Sequence, residues 1–328
     1  MSKRWILPVL LAGCLLLCGC QRLSSVPPGL EVTSIPGVSD PLPAAEAPES
    51  RRSTSQSTLW FRYADEAFLA PEYRTISHGL NETYELALVR ALIAGPDVRS
   101  GGLRGLFPEG VQVTAASVSG RTLYVTFTED LLKGYVDEPS AWASDSYWSR
   151  ESPLRRQLCM QSLAATVTEN CDADRVQVMV QNAAGDVRRL SMGYYPETEG
   201  ETLPAELLWR DEELLLTPGN TARIILRALA ERDWQTLYLY VSAGDSRQPD
   251  YDDFVVAMEQ LPALTACSIS GGSITDGGSR ITFTLQGTAL AGGQTLPLEN
   301  RVFRLQREGG VWKTTRELLQ LAVEVTYE

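Results

Sequence analysis

Few side chains in this chain are of the kinds that do chemistry, and they are poorly grouped. His78 is the single histidine in 328 residues, which excludes a multi-histidine metal centre and a Ser-His-Asp triad elsewhere. Glu72, Glu82 and Glu85 could in principle join it in a metal site. Its place between a strand and Gly79 reads instead as a surface imidazole. Asp250, Asp252 and Asp253 cluster, but without the twelve-residue spacing and closing glutamate of a calcium loop. At the head of an apolar-periodic segment they read as helix caps and partners of the helix dipole. Gly271-Gly272 and Gly277-Gly278 lie between strands and are expected to serve hairpin turns, not a phosphate-binding loop. No catalytic residue, no metal and no cofactor are expected.

The cysteines are the exception to this scatter. Three of the 6 fall at Cys14, Cys18 and Cys20, inside an apolar run. Lys3 and Arg4 precede Trp5 to Leu17, a run shorter than the ~20 residues of a transmembrane helix, so an export signal is the expectation. Leu11-Ala-Gly-Cys14 and Leu17-Cys-Gly-Cys20 both resemble the bacterial lipobox, in which the cysteine becomes the acylated first residue. Cys20 is preferred, because cutting before Cys14 leaves Leu15 to Leu17 as an apolar stub. Cys14 is the alternative. Palmitate-class acyl chains on that cysteine would hold the protein to the membrane, each buried methylene contributing about 0.8 kcal/mol.

Loss of Lys3 and Arg4 leaves 27 basic against 41 acidic residues, so the net charge moves from −12 to −14. Such a body is repelled by phosphate backbones and anionic headgroups, and nucleic acid is excluded as a partner. Of the other cysteines, Cys159 falls in an expected helix, Cys171 just after it and Cys267 far away. An odd number argues against a complete disulfide framework. A Cys159 to Cys171 bridge and two small buried residues both remain open.

The chemistry-poor composition shifts attention to the elements. Residues 1–19 are expected to form the signal peptide. Residues 20–57, rich in Pro, Ser, Ala and Glu, read as a disordered tether spanning ~35 Å. Order is expected from Leu59, where Leu59, Phe61 and Tyr63 alternate with Trp60 and Arg62 as in a strand, followed by a second strand at "YRTIS". "NETYELALVRALIAGP" has helical spacing, with Asn81 as N-cap and Gly95-Pro96 as its end. "VQVTAASVSGRTLYVTFT" reads as a hairpin about Ser119-Gly120. A helix over "SPLRRQLCMQSLAATVTEN" and a strand over Arg175 to Gln181 complete an α+β sandwich.

This ordered set, from "LWFRYADEAFLAPEYRTI" through "ALVRALIAGP" and "LFPEGVQVTAASVSGRTLYVTFTEDL" to "QSLAATVTENCDADRVQVMVQNAAGD", resembles the GerMN domain of bacterial sporulation, germination and envelope proteins. The likeness runs from about Leu59 to Leu190. Pro71, Glu72, Arg74, Gly95, Pro96, Pro108, Glu109 and Gly110 fall at the family's motif positions. "TFT" at 126 to 128, "QNAAGD" and the stretch 137 to 152 depart from its pattern. The resemblance implies an α/β sandwich similar to ring-building motifs, without catalytic residues, that works by contacting protein or cell wall. Domain boundaries of 58–200 for this domain and 207–328 for a second α+β domain follow.

In the second domain, Thr217 is expected to cap a helix beginning at Pro218, with Ile224, Ile225, Leu226 and Leu229 inward. Another helix runs through Leu237 and Tyr240, and a short one covers "YDDFVVAMEQL". Only strands are expected after it, "VWKTTRELLQLAVEVTYE" included, with Gly309-Gly310 as a hairpin turn. Helices followed by a curved antiparallel sheet resemble the cone-shaped nuclear-transport-factor-two-like fold. Trp234, Tyr238, Tyr240 and Phe254 would line a mouth or fill a core. Tyr135, Trp142, Tyr147 and Trp148, aromatics in a polar loop, are the candidate contact surface, with folding back over their own domain as the competing reading.

The expected function is that of an extracytoplasmic lipoprotein of a spore-forming or related Gram-positive bacterium. It would be lipid-anchored on the outer face of the cell membrane and would act without catalysis as an envelope or sporulation-germination factor. The alternative is a small-ligand-binding protein or weak hydrolase that uses a pocket in the C-terminal domain. A transporter's solute-binding protein would need two similar lobes, and these are lacking.

Overall fold

The structure, a computed structural model, describes residues 53–99, 101–195, 200–242 and 250–324. The expected signal peptide, both candidate lipidation cysteines and most of the expected tether lie outside them. Ser50–Glu328 form one compact unit, of mixed α+β class, with three sheets and six α-helices among the described residues.

The first sheet consists of β1 (Ser53–Tyr63), β2 (Leu69–His78) and the short β3 (Leu103–Arg104), in the order β2-β1-β3. β1 starts earlier than its composition suggests. Ser53 to Ser57, assigned to the tether, pair with His78 to Arg74. Backbone pairing with a neighbouring strand needs no apolar side chains, so the polar start of β1 is ordered by β2. The expected alternation also fails, since Leu59, Trp60, Phe61, Arg62 and Tyr63 are all buried, as in a strand covered on both faces.

Helix α1 (Tyr84–Ile93) is capped by Thr83, not Asn81, the Thr83 hydroxyl accepting from the Leu86 N–H. The hairpin of β4 (Val113–Ser119) and β5 (Thr122–Thr128) turns at Gly120 and Arg121, both with positive φ. That is the backbone a two-residue hairpin turn demands. Helix α2 (Trp148–Asn170) begins before Ser152 despite Pro153. The Asp145 carboxylate accepts from the N–H groups of Tyr147 (2.8 Å) and Trp148 (3.0 Å) and so starts the helix upstream of the proline. Strand β6 (Arg175–Gln181) runs parallel to β5, and β7 (Val187–Arg189) and β8 (Leu208–Trp209) both pair with β6.

The joint between α2 and β1 is made of polar atoms. Thr166 Oγ1 accepts from the Trp60 N–H at 3.0 Å, and Ser162 Oγ donates to the Trp60 carbonyl at 2.6 Å. One turn on, Asn170 accepts from the Thr58 N–H (2.9 Å) and donates to the Thr58 carbonyl (2.7 Å). Ser162, Thr166 and Asn170 are four residues apart, so they line one face of the helix. They complete the edge of β1 that β3, pairing only at Arg62 and Tyr63, leaves open.

In the C-terminal half, α3 (Pro218–Glu231) is capped by Thr217 and buries Ile224, Ile225, Leu226 and Leu229. α4 (Trp234–Leu239) and α5 (Tyr251–Glu259) follow, then an antiparallel sheet in the order β12-β11-β10-β9. Its strands are β9 (Ala263–Thr275), β10 (Arg280–Ala291), β11 (Gln294–Glu308) and β12 (Val311–Lys313), with Gly309 and Gly310 turning between the last two. Gly271 and Gly272 do not form a turn. They lie within β9, where its register against β10 shifts. The final segment is not a strand either: Thr315 caps α6 (Arg316–Val323), which buries Leu319, Ala322 and Val323. Alternation across "VWKTT" gives way there to helical spacing.

The two halves meet at the first sheet. The Leu216 N–H donates to the Leu69 carbonyl at 2.8 Å, and Tyr63 Oη donates to the Leu239 carbonyl at 2.8 Å. Gly310 rests on Pro71 so closely that a Cβ there would lie 2.1 Å from the Pro71 carbonyl oxygen. Thr166→Val keeps the shape of α2 but leaves the buried Trp60 N–H without an acceptor, a loss of about 1–3 kcal/mol. Urea unfolding is expected to show a lower midpoint at unchanged slope.

Candidate functional site

Glu72 and Arg74 of β2 meet the end of α1 at Gly95, while Gly110 lies apart from them, beside Asp130. Arg74 Nε donates to Glu72 Oε1 at 2.8 Å, and the same guanidinium donates to the carbonyls of Ala91 (3.3 Å) and Gly95 (3.0 Å). These are carbonyls that the end of α1 leaves without helical partners. Glu72, itself buried, accepts from the Asp97 N–H at 2.8 Å through its other oxygen. Gly95 has φ +86° and ends the helix, and Pro96 packs against Gly105. The turn Pro108 to Val111 closes with the Val111 N–H on the Pro108 carbonyl at 3.4 Å, and Gly110 takes φ +84°. Pro71 lies on β2 opposite Trp60. Glu72 and Arg74 thus form an ion pair that clasps the helix end.

A second cluster was only half visible from sequence. Arg62, 3% exposed, forms a two-pronged ion pair with Glu151, and its guanidinium also donates to the carbonyls of Glu66 (2.8 Å) and Asp65 (2.7 Å). Arg155 donates to Glu151 at 2.7 Å and to both oxygens of Asp137 at 2.8 and 2.9 Å. Burial alone would raise the Glu151 pKa. The bonds from Arg62 and Arg155 outweigh it and hold the carboxyl below its ordinary range. The signal available in sequence was Arg62 itself, a lone charge in "LWFRY". Nothing in the sequence points to Glu151, 89 positions away.

The aromatic loop closes onto this cluster. The Arg155 guanidinium lies 4.9 Å from the Trp148 ring and 5.3 Å from the Tyr135 ring, while Arg156 lies 5.9 Å from Trp142. Glu138 pulls the loop down, accepting from Ser152 Oγ (2.6 Å), the Tyr135 N–H (3.0 Å) and Arg156 (3.3 Å). Tyr135 and Trp142 are half-buried, as is Trp148 at the start of α2, and burial pushes the Tyr135 hydroxyl well up. Tyr147 is the exposed member, edge-on to Trp148 at 5.4 Å. A polar cavity of about 420 Å³ opens beside them, lined by Arg62, Arg104, Tyr135, Asp137 and Arg155. Each of its arginines already faces a carboxylate, Arg104 facing Asp65 at 3.2 Å, so the cavity has no excess positive charge to draw in an anion.

The remaining candidates are dispersed. His78 Nδ1 lies 3.0 Å from the Glu82 carbonyl, Glu82 pairs with Arg90, and Glu72 is held by Arg74. Among the described residues no three His, Cys, Asp or Glu side chains converge as metal ligands. Asp250 caps α5, accepting from the Asp252 N–H at 3.1 Å. Cys159 and Cys171 are both free, and burial raises each thiol to about 12, far from a reactive thiolate. Tyr240 and Phe254 are fully buried core, and the Tyr238 ring lies tilted against Phe254 at 5.2 Å.

Residues 59–186 match the Germane family, described as sporulation and spore germination. The chain carries a GerMN-type domain. Among solved structures it is similar to the tandem GerMN domains of the sporulation protein GerM from Bacillus subtilis, at 15% identity and a TM-score of 0.27 over 39% of each chain. It is also similar to a putative lipoprotein from Clostridium perfringens, at 16% identity and a TM-score of 0.24 over 39% of this chain and 74% of that one. The match therefore spans about two fifths of the GerM chain. No curated protein matches the chain. In the GerMN-type domain Glu72 and Arg74 are occupied by each other and by backbone groups, whereas Glu109 is exposed.

Glu151→Gln leaves Arg62 buried opposite a neutral group and is expected to cost about 3 kcal/mol at neutral pH. Because the folded pKa of Glu151 lies below its ordinary value of 4.5, its stabilisation is complete above that pH and is lost as the pH falls through the folded value. Urea titrations of wild type and variant are expected to stay apart above that value and to converge in acid.

Proposed function

We propose that this protein is an extracytoplasmic lipoprotein, acylated at Cys20 and held on the outer face of the cell membrane, that serves without catalysis as a sporulation-germination or envelope factor. It acts by contact with envelope proteins or cell wall. The observation that carries this reading is the mutual occupation of charged side chains in the GerMN-type domain, the motif pair Glu72 and Arg74 and the buried pair Arg62 and Glu151. Glu72, Arg74, Arg62 and Glu151 have their hydrogen-bonding atoms turned to one another and to the backbone, an arrangement that fixes shape and leaves no group poised for proton transfer. Among the described residues no helix is long and apolar enough to cross a membrane, which suits anchoring through a lipid.

The tether then sets the mechanism. A flexible link from Cys20 confines the folded body near the membrane and raises its effective concentration toward neighbouring envelope proteins. A second reading, small-ligand binding by the C-terminal half, is favoured by a groove of about 830 Å³ lined by Ala257, Leu261, Leu290, Gln320 and Leu321.

Labelled palmitate and mass spectrometry of the mature N-terminus are expected to place the lipid on Cys20. A lipid on Cys14 would move the site, and no lipid at all would refute the anchor. Crosslinking and pull-down of the anchored protein from growing and sporulating cells is expected to recover envelope proteins or cell-wall fragments. Recovery of neither, with a small molecule bound in native mass spectra, would sink the contact reading in favour of the second.

A further inference from the structure

β9 lies at the end of its sheet and pairs only with β10 among the described residues. From Thr265 to Thr275 every residue of this edge strand except Ile269 is exposed, and Ala263 to Thr275 contains no charged residue and no proline. Natural edge strands are usually protected by charge, proline or bulges against pairing with other chains. β9 has only bulges, and they frame a flat segment. Thr265 interrupts the register on one side and Gly271-Gly272 on the other, while Ala266 to Ser270 pair without a break with Thr288 to Thr284. The centre of that five-residue ladder is Ser268.

The side chains along it differ by face. Ile269 sits opposite Leu285, which is fully buried, and Cys267 sits opposite Gly287. Both therefore lie on the core-facing side of the sheet, yet Cys267 is exposed and Ile269 only partly covered. Ala266, Ser268 and Ser270 are small and occupy the other face.

We propose that this edge joins a second copy of the chain, β9 pairing antiparallel with β9 about a two-fold axis at Ser268. A two-fold contact brings each group near its own kind, so a chain of net charge −12 meets itself with least repulsion along an uncharged strip. Centring the axis on Ser268 pairs Ala266 with Ser270 of the second copy and sets Cys267 beside Ile269 of the second copy. The two four-stranded sheets become one of eight strands. The exposed Cys267 of each copy meets the partly covered Ile269 of the other on its core-facing side, and the bulges stop the ladder at both ends. The contact uses one edge on each molecule and closes on itself.

Sedimentation of the full chain in detergent over a range of concentrations tests this. Wild type is expected to be dimeric on the order of 10 µM. Ser268→Lys places two ammonium groups opposite each other at the axis and is expected to weaken association about tenfold or more, with circular dichroism and thermal midpoint unchanged. Ser273→Lys, beyond the glycine bulge, is expected to remain dimeric. Hydrogen exchange at Ala266 to Ser270 is expected to slow as concentration rises. A wild type that stays monomeric would overturn the proposal. So would a dimer indifferent to Ser268→Lys, equal dissociation by Ser273→Lys, or exchange already slow in a monomer, which would mean that another part of the chain covers the edge.

Discussion

A buried strand cannot leave its backbone amides and carbonyls without partners, and in this molecule a helix meets that demand for β1. The Ser162, Thr166 and Asn170 side chains engage the Trp60 and Thr58 backbone as a neighbouring strand would. With one edge filled by β2 and the other by α2, β1 can lie at the centre of the fold with Leu59 to Tyr63 buried. The arrangement fixes α2 in both rotation and translation, since a one-residue slip would carry all three polar side chains away from β1. The Arg62 cluster, through Glu151 and Arg155, and the loop over α2 take their positions from that helix.

The charged groups are consequences of the same burial. Arg62 is itself almost wholly buried, so its charge requires a carboxylate and two carbonyls around it. Glu72 and Arg74 perform the corresponding service at the end of α1, where carbonyls would otherwise be stranded. Residues that stand out in a motif as candidate acids and bases are thus explained by the polarity of the backbone they satisfy. The fold is specified partly by polar contacts that tolerate only one geometry, in keeping with the directionality of charge-assisted hydrogen bonds.

Sequence patterns revealed the elements whose stabilisation is local. The hairpin at Gly120, the turn at Gly309-Gly310 and the Thr217 cap depend on residues within a few positions of one another, and their signals are strong. Elements that depend on distant partners read less well. Ser53 to Ser57 resemble a tether until β2 pairs with them, and α2 starts ahead of Pro153 because Asp145 supplies a cap. The last helix was hidden by the alternation just before it, although Thr315 and the spacing of Leu319 and Val323 carried the signal. In the candidate site, the Glu72 and Arg74 pair was legible because its members are two residues apart. Glu151 was not, because nothing in a linear pattern links it to Arg62.

The contact of Gly310 with Pro71 and that of Arg307 with Tyr73, which lie 234 positions apart, bear on how the chain folds. Pairings this remote raise contact order and slow the search for the native state. The outer edge of the first sheet belongs to a segment made early, while the residues that settle against it are among the last to be synthesised. Until they arrive β2 remains an open edge, the kind of surface that traps or aggregates a partly folded chain. The proline in that edge, which offers no N–H to an intruding strand, guards the sheet during the interval before its own C-terminal hairpin closes over it.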